Sequence, residues 1–153
     1  MTASDPHLPT RWSDMPASVL SGFLQSVRAH PDVEAVVSTS VRLSYRQLAQ
    51  RVAALARMIG PAVTEPGTVV GVAVDDPVLH LALLLAIEAS GGASVSLERN
   101  TMQPHSRLKR ICRCLVVDQP AAPVEGKTII HLSPALLAES MNLDCARCRA
   151  SPM

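Results

Sequence analysis

The chain has 153 residues, a formal net charge of +1 and a hydrophobic fraction of 48%. A chain of this length can form one domain with a sizeable core, and its near-neutral charge gives no electrostatic reason to expect nucleic acid or an anionic membrane as a partner. The aromatic residues are Trp12, Phe23 and Tyr45, too few for a surface that stacks single-stranded bases.

The two ends of the chain predict no regular structure. Residues 1–16 are rich in Pro, Ser and Asp and form an irregular lead-in, while residues 141–153 show no periodicity and are expected to be a flexible tail. The start of the chain also lacks the basic and apolar runs of a secretory leader. We therefore expect a cytoplasmic protein with reduced cysteines, whose α/β domain spans residues 17–140.

The first third of that domain predicts a helix and a β-hairpin. Between residues 17 and 30, apolar side chains recur at the spacing that places them on one helix face, and Pro31 ends the helix. Residues 34–38 form a short strand-like run, and residues 41–43 can return as its hairpin partner after a short break.

A second amphipathic helix is predicted over residues 45–59. Ser44 can serve as its N-cap, and Gly60 and Pro61 end it. Its apolar side chains share one face: Leu48, Val52, Leu55 and Ile59. Residues 60–67, rich in Gly and Pro, then predict a surface loop.

The most apolar stretch of the chain begins at Asp76 and predicts a third helix. Asp76 can cap a helix that starts at Pro77, a residue suited to the first helical position, and that runs to about Ser90. A membrane span needs about 20 apolar residues, whereas this run is shorter and includes His80 and Glu88. We therefore predict a helix buried on most sides.

A glycine turn and several strands complete the predicted sheet. Gly91 and Gly92 supply the positive backbone angles and close approach of a reversal from helix to strand. Four β-branched or apolar runs predict strands: 68–74, 93–97, 114–118 and 128–132. A short exposed helix is predicted over residues 104–111, and Ser133 and Pro134 open a last helix. This alternation implies a mostly parallel sheet layered with helices, an α/β fold.

Two motifs in this order carry a family resemblance. Residues 43–48 read LSYRQL, and residues 86–98 read AIEASGGASVSLE. They resemble the first and second core motifs of adenylate-forming (AMP-binding) enzymes, the superfamily of acyl-CoA synthetases, luciferases and nonribosomal-peptide adenylation domains. The resemblance runs from about Leu20 to Asp118. It implies a partial fold, the opening part of a family member truncated before the phosphate-binding loop.

The sequence also departs from the family pattern, and these departures limit which family residues can be assigned here. Four residues of the second motif differ from the family pattern: Ala89 stands where the family often has Lys, Ser94 where it has Tyr, Ser96 where it has Pro and Glu98 where it has Asp. The family's phosphate-binding loop should follow residues 114–118, and the sequence supplies neither it nor the family's adenosine-holding residues and C-terminal lysine. The resemblance implies ATP and magnesium as cofactors of complete members. We carry over no catalytic, cofactor-binding or metal-binding residue, and expect no cofactor for this chain alone.

Two short motifs suggest ligand sites but have plainer explanations. Residues 126–128 read GKT and end like a P-loop, yet Ala121 stands where that motif needs Gly, and a strand rather than a helix follows. A loop lysine before a strand is the favoured interpretation. The second motif is a pair of cysteines with the spacing of zinc ligands. Its members are Cys145 and Cys148, and the residues that could complete the site are Cys112, Cys114 and His131. Coincidental thiols are favoured over zinc.

Charged and titratable residues add three weaker candidates. His80 lies on an apolar helix, where a hydrogen-bonded core or edge residue is a better interpretation than a catalytic base. Asp75 and Asp76 form a carboxylate pair that helix capping explains sufficiently. The basic cluster of Arg107, Lys109, Arg110 and Arg113 favours a solvated helix face over a phosphate or acidic partner.

We therefore expect a chain related to adenylate-forming ligases that is inactive alone. In one hypothesis a second polypeptide, an adenylation or carrier-protein chain, completes the enzyme, and an exposed strand edge favours self-association. In another the chain is a free-standing, non-catalytic interaction module, and in a third it is a decayed remnant. The sequence indicates neither nucleic acid binding nor a membrane span.

Overall fold

The structure, a computed structural model of the protein, describes residues 18–98, 110–121, 123–133 and 135. Its helices are α1 (Val19–Ala29), α2 (Tyr45–Ile59) and α3 (Pro77–Ala89). Its strands are β1 (Glu34–Val37), β2 (Arg42–Ser44), β3 (Val69–Ala73), β4 (Ala93–Ser96), β5 (Cys114–Val117) and β6 (Thr128–His131). In these ranges, no helix combines the length and hydropathy that a membrane crossing requires.

Four of the predicted segments fall largely outside the described residues. They are the lead-in at 1–16, most of the helix predicted over 104–111, the last helix opened by Ser133, and the tail at 141–153. The predicted domain bounds therefore stay predictions.

The strands β3 to β6 form one parallel sheet in the order β4-β3-β5-β6. All three pairings are parallel and in continuous register, with Gly71 opposite Val95 on one side and Leu115 on the other. The connection between parallel strands must cross over the sheet, and α3 makes that crossover from β3 to β4. The predicted α/β class and parallel pairing are confirmed.

The amino-terminal elements form a helix and hairpin beside the sheet. Strands β1 and β2 pair antiparallel, as predicted, although β2 starts one residue later than expected at Arg42. The reason is local, because Ser38 and Val41 close the turn through their backbones at 2.8 Å and through the Ser38 hydroxyl at 3.0 Å. Val41 thereby belongs to the turn.

Side-chain caps fix where the helices begin. Ser18 and Ser44 each accept a hydrogen bond from the backbone N–H three residues later and complete a capping box with Ser21 and Gln47. Asp76 accepts bonds from two backbone N–H groups of α3, and Pro77 occupies the first helical position. The predicted starts of α2 and α3 are confirmed to the residue.

The helices cover one face of the sheet and form the main core. The apolar face predicted for α2 is buried there, together with six of the thirteen residues of α3. Opposite these helices lie Val70, Val72, Cys114 and Val116, which alternate along β3 and β5. A smaller cluster on the other face contains Leu97, Cys112 and Leu115. Strands β3 and β5 are therefore buried on both faces, which is typical of parallel sheets and which the β-branched run at 68–74 predicted for β3.

Two glycines are required by the turn and the sheet. Gly91 has a φ of +83° and reverses the chain after α3, while Gly92 approaches the Thr68 carbonyl so closely that a Cβ would lie 3.1 Å from it. Positive φ angles are predicted from the sequence for both glycines, but only Gly91 adopts one. In β3, a Cβ on Gly71 would lie 2.7 Å from Leu97 Cδ1 and 2.8 Å from Leu115 Cδ2.

This crowding predicts that Gly71→Ala destabilises the fold by about 1–3 kcal/mol, because the smaller core cluster has no room for an added methyl group. The measurement is the free energy of unfolding in urea. Gly60→Ala is the matched control, since nothing lies within 4 Å of its Cβ position and its φ of −46° suits alanine. We expect it to be neutral or slightly stabilising; equal losses in the two variants would contradict the packing argument.

Candidate functional site at the carboxyl edge of the sheet

The carboxyl ends of the four parallel strands meet at one edge of the sheet. Ligands of open parallel sheets bind outside this edge, where successive connections leave in opposite directions. Here the reversal lies at β3, because β4 is its neighbour on one side and β5 its neighbour on the other. We call the polar residues at this place the carboxyl-edge cluster: Asp75, Asp76, His80, Ser96 and Asp118.

A hydrogen bond between two loops occupies the point of reversal. Asp75 follows β3 by one residue past Val74, and Asp118 follows β5 directly. The Asp75 backbone N–H donates to Asp118 Oδ2 at 2.9 Å. The Asp118 carboxylate therefore joins the two loops at the position where a ligand of such a sheet would lie.

The adjacent carboxylate pair has a structural use. Asp76 Oδ1 accepts the backbone N–H groups of Val78 at 2.8 Å and Leu79 at 3.0 Å. Capping therefore explains Asp76, whereas Asp75 contributes its backbone to the loop contact. This role of Asp118 was not predicted from the sequence. An acidic residue that directly follows a buried parallel strand was the available signal, but its donor partner, the Asp75 N–H, lies 43 positions away in the sequence.

His80 links α3 to the last residue of β4. Its Nε2 lies 2.8 Å from Ser96 Oγ, and the side chain is partly buried. This hydrogen-bonded position at the sheet edge agrees with the favoured interpretation of His80.

An apolar groove runs beside this hydrogen bond. Its volume is about 340 Å³, and its lining is Val74, Asp75, Pro77, His80, Leu81 and Leu84. Most of these side chains come from one side of α3. The groove offers apolar surface with a polar rim, which suits an apolar side chain better than a phosphate.

Lys127 lies at the amino ends of the parallel strands, on the other side of the sheet from the carboxyl edge. It directly precedes β6, and its Nζ donates to the backbone carbonyls of Cys112 and Arg110. A strand follows it, not the helix that a P-loop requires. These contacts agree with a loop lysine before a strand. Of the predicted basic cluster, Arg110 and Arg113 are exposed, and Arg107 and Lys109 lie outside the described residues.

The described thiols are buried in different parts of the core. Cys114 belongs to the main core and Cys112 to the smaller cluster on the other face. Burial raises the pKa of the Cys112 thiol, against the opposing effect of Lys127. Burial, and to a smaller extent Cys112, raise the pKa of Cys114 to about 11. Both thiols are therefore neutral near pH 7, which disfavours metal binding and nucleophilic chemistry.

The zinc alternative involves residues that the structure separates or does not describe. Cys145 and Cys148 lie outside the described residues, and His131 is exposed at the end of β6. Among the residues that the structure does describe, no three His, Cys, Asp or Glu side chains are arranged to hold a metal ion.

Comparison with known proteins gives a consistent set of similarities. A family model described as "AMP-binding enzyme" matches residues 23–136. The nonribosomal peptide synthetase sirP of Leptosphaeria maculans is 32% identical over 110 residues, which are 72% of this chain and 5% of sirP. The chain thus spans a small part of the length of this relative.

Solved structures of nonribosomal peptide synthetases have a fold similar to that of this chain. The nonribosomal peptide synthetase FmoA3, which has also been crystallised with AMPPNP bound, is 27% identical with a TM-score of 0.61, over 76% of this chain and 13% of FmoA3. The N-terminal subdomain of Klebsiella oxytoca NpsA, bound to 3-hydroxyanthranilyl-AMSN, gives a TM-score of 0.68 at 19% identity, over 86% of this chain and 35% of that chain.

The contact between the two loops predicts a measurable role for Asp118. Asp118→Ala removes the acceptor of the Asp75 N–H, and we expect a loss of about 1 kcal/mol in the free energy of unfolding. Asp118→Asn is the matched control, because its amide oxygen can still accept the bond and less than half of that loss should remain. Equal urea midpoints for the alanine variant and the native chain would contradict the role.

The buried Cys114 thiol predicts a loss of stability at alkaline pH. Its pKa is raised from the ordinary value of 9.0 to about 11. Between these two pH values the thiol is ionised in the unfolded state but still protonated in the folded state. The thiol's contribution is fully present below pH 9 and is lost as the pH rises toward 11. The urea midpoint should therefore fall more steeply over this window in the native chain than in Cys114→Ala. Parallel curves would contradict the prediction.

Proposed function

The chain belongs to the AMP-binding enzyme family, and we propose that it is the amino-terminal structural unit of a composite adenylate-forming ligase. In this proposal it does not bind ATP or form an acyl adenylate alone. A second polypeptide supplies the phosphate-binding loop, the carboxylate-substrate pocket and the catalytic lysine. The complete assembly activates an amino acid or another carboxylic acid.

The chemistry at the carboxyl edge is the observation that carries this proposal. The place where a parallel sheet would receive a nucleotide carries Asp118, bonded to the Asp75 backbone, and the capping carboxylate of Asp76. Carboxylates at this position repel a triphosphate. Lys127 lies at the amino ends of the strands, away from this edge, and donates to two backbone carbonyls. The described residues thus favour a scaffold role over phosphate binding.

The reaction of the family explains what the second polypeptide must add. The substrate carboxylate attacks the α-phosphorus of ATP, an acyl–adenylate bond forms, and pyrophosphate leaves. Negative charge grows on the α-phosphate in the transition state, so cations or backbone N–H groups must be aimed at it. FmoA3 binds the ATP analogue AMPPNP, which supports ATP as the nucleotide of the completed enzyme, and the family resemblance implies magnesium with it.

A non-catalytic interaction module is the second candidate. The apolar groove beside His80 favours it, because an apolar surface with a polar rim suits a protein side chain. In that case the chain would bind a synthetase or carrier protein without contributing to a nucleotide site.

Two measurements on the full chain test the main proposal. Titration with ATP and magnesium should give no binding heat, and the chain should show no amino-acid-dependent exchange of pyrophosphate into ATP. The second measurement adds the FmoA3 adenylation domain lacking the segment aligned with this chain, hereafter the complementing fragment. Exchange should appear only when both polypeptides are present.

The complementing fragment alone is the control for that experiment. Exchange by the chain alone would contradict the proposed division of the site. A stable complex without exchange would favour the interaction module.

A further inference from the structure

In the residues that the structure describes, the outer edge of β4 pairs with no strand and lies next to an apolar face of α3 that has exposed side chains. We infer that these form one docking surface, which takes a β-strand and its connected helix from the polypeptide that completes the adenylation domain. The inference rests on the proposed function, because it names where that polypeptide binds. The surface consists of the outer edge of β4 together with Pro77, Leu81 and Leu84 of α3, and is called the β4–α3 surface.

The outer edge of β4 presents backbone groups to solvent. Ala93 and Leu97 donate their N–H groups to Thr68 and Val72 on the β3 side, at 2.9 and 2.8 Å. Backbone groups alternate along a strand, so the N–H and C=O groups of Ser94 and Ser96 point away from β3. In the described residues, β4 has no other strand as a neighbour.

The side chains of β4 leave this edge unprotected. The strand reads ASVS, and Ala93, Ser94 and Ser96 are exposed. Natural edge strands are commonly protected by charges, prolines or bulges, yet this one carries small uncharged residues, and its register with β3 is regular. An edge with these properties is suited to strand addition.

The face of α3 beside this edge is apolar, and no described element covers it. A helix that is apolar on all sides belongs in the interior, but Leu81 is 38% exposed and lines the groove of about 340 Å³ together with Pro77 and Leu84. The hydrogen bond between His80 Nε2 and Ser96 Oγ joins this helix to β4. The helix face and the strand edge are therefore parts of one continuous surface.

One occupant satisfies both features. Crossovers between parallel strands are right-handed, so a sheet that continues in the same direction places each new helix on the same face. A strand added beside β4 would bring its connected helix next to α3, over Leu81 and Leu84. The backbone groups of Ser94 and Ser96 and the apolar groove would then be covered by a single strand and helix.

The relatives indicate where such a unit comes from. This chain spans 35% of the NpsA N-terminal subdomain chain, so most of such a subdomain lies beyond the part that this chain matches. A second copy of this chain would add β4 as an antiparallel strand to a sheet whose pairings are all parallel. The completing polypeptide is therefore the assigned occupant.

The test co-expresses the affinity-tagged full chain with the complementing fragment and measures how much fragment co-purifies. Ser94→Pro removes an outward N–H without touching the β3 pairing, a position where proline is tolerated. Leu81→Glu places a charge in the groove. Each should lower the recovered fragment about tenfold, which corresponds to about 1.4 kcal/mol.

Matched controls lie elsewhere on the same elements. Leu132 and Thr128 donate their N–H groups to the β5 side at 2.8 and 3.2 Å, so the His131 N–H points outward from β6. Because β6 is the other edge strand of the sheet, His131→Pro is the equivalent change there. Ala89→Glu places the same charge at an exposed position of α3 outside the groove. Both controls should retain native recovery, and circular dichroism melting should show that all four variants fold.

The outcomes separate the surface from the proposed function. Recovery that falls with Ser94→Pro and Leu81→Glu alone supports the β4–α3 surface. Recovery that falls only with His131→Pro overturns the surface and leaves the proposed function standing. No recovery with the native chain contradicts the proposed function and the surface with it. A native chain that sediments as a dimer, and that Ser94→Pro converts to monomer, would overturn the assigned occupant in favour of a second copy.

Discussion

The burial of β3 on both faces and along both edges is the constraint on which the rest of this structure depends. Val70 and Val72 point into the core beneath the helices, and Gly71 lies against Leu97 and Leu115 on the other face. Because β3 pairs with β4 and β5 in parallel, its position fixes the direction of the sheet. The sheet direction in turn places every strand end, and with it the carboxyl edge.

The proposed function follows from the contacts at that edge. An open parallel sheet can bind a ligand at the point of reversal, yet here the Asp118 carboxylate and the Asp75 backbone bond to each other. The same residues that stabilise the loops therefore leave an acidic surface there. Family membership relates the chain to a nucleotide-binding enzyme, whereas the acidic residues at this edge do not favour nucleotide binding. The chain is related to adenylate-forming ligases, while its described residues at this edge support the proposed scaffold role.

The exposed side of α3 has a different physical meaning. Apolar side chains remain on a helix surface only at a cost in solvation, and Leu81 and Leu84 line a groove next to an unprotected strand edge. Protein surfaces with these properties are commonly interaction sites. The incomplete layer over α3 and the incomplete edge of β4 are consistent with one missing neighbour.

The sequence by itself determined the local elements and the family. Caps at Ser44 and Asp76, helical spacing in α2 and β-branched runs in β3 and β5 are local signals, and they predicted the order of elements and the parallel sheet. Tertiary structure alone decided which residues meet. Asp118 bonds to Asp75 from 43 positions away, and His80 bonds to Ser96 from 16. Sequence periodicity could not reveal these contacts, because it reports which face of an element is buried and carries no information about its partner.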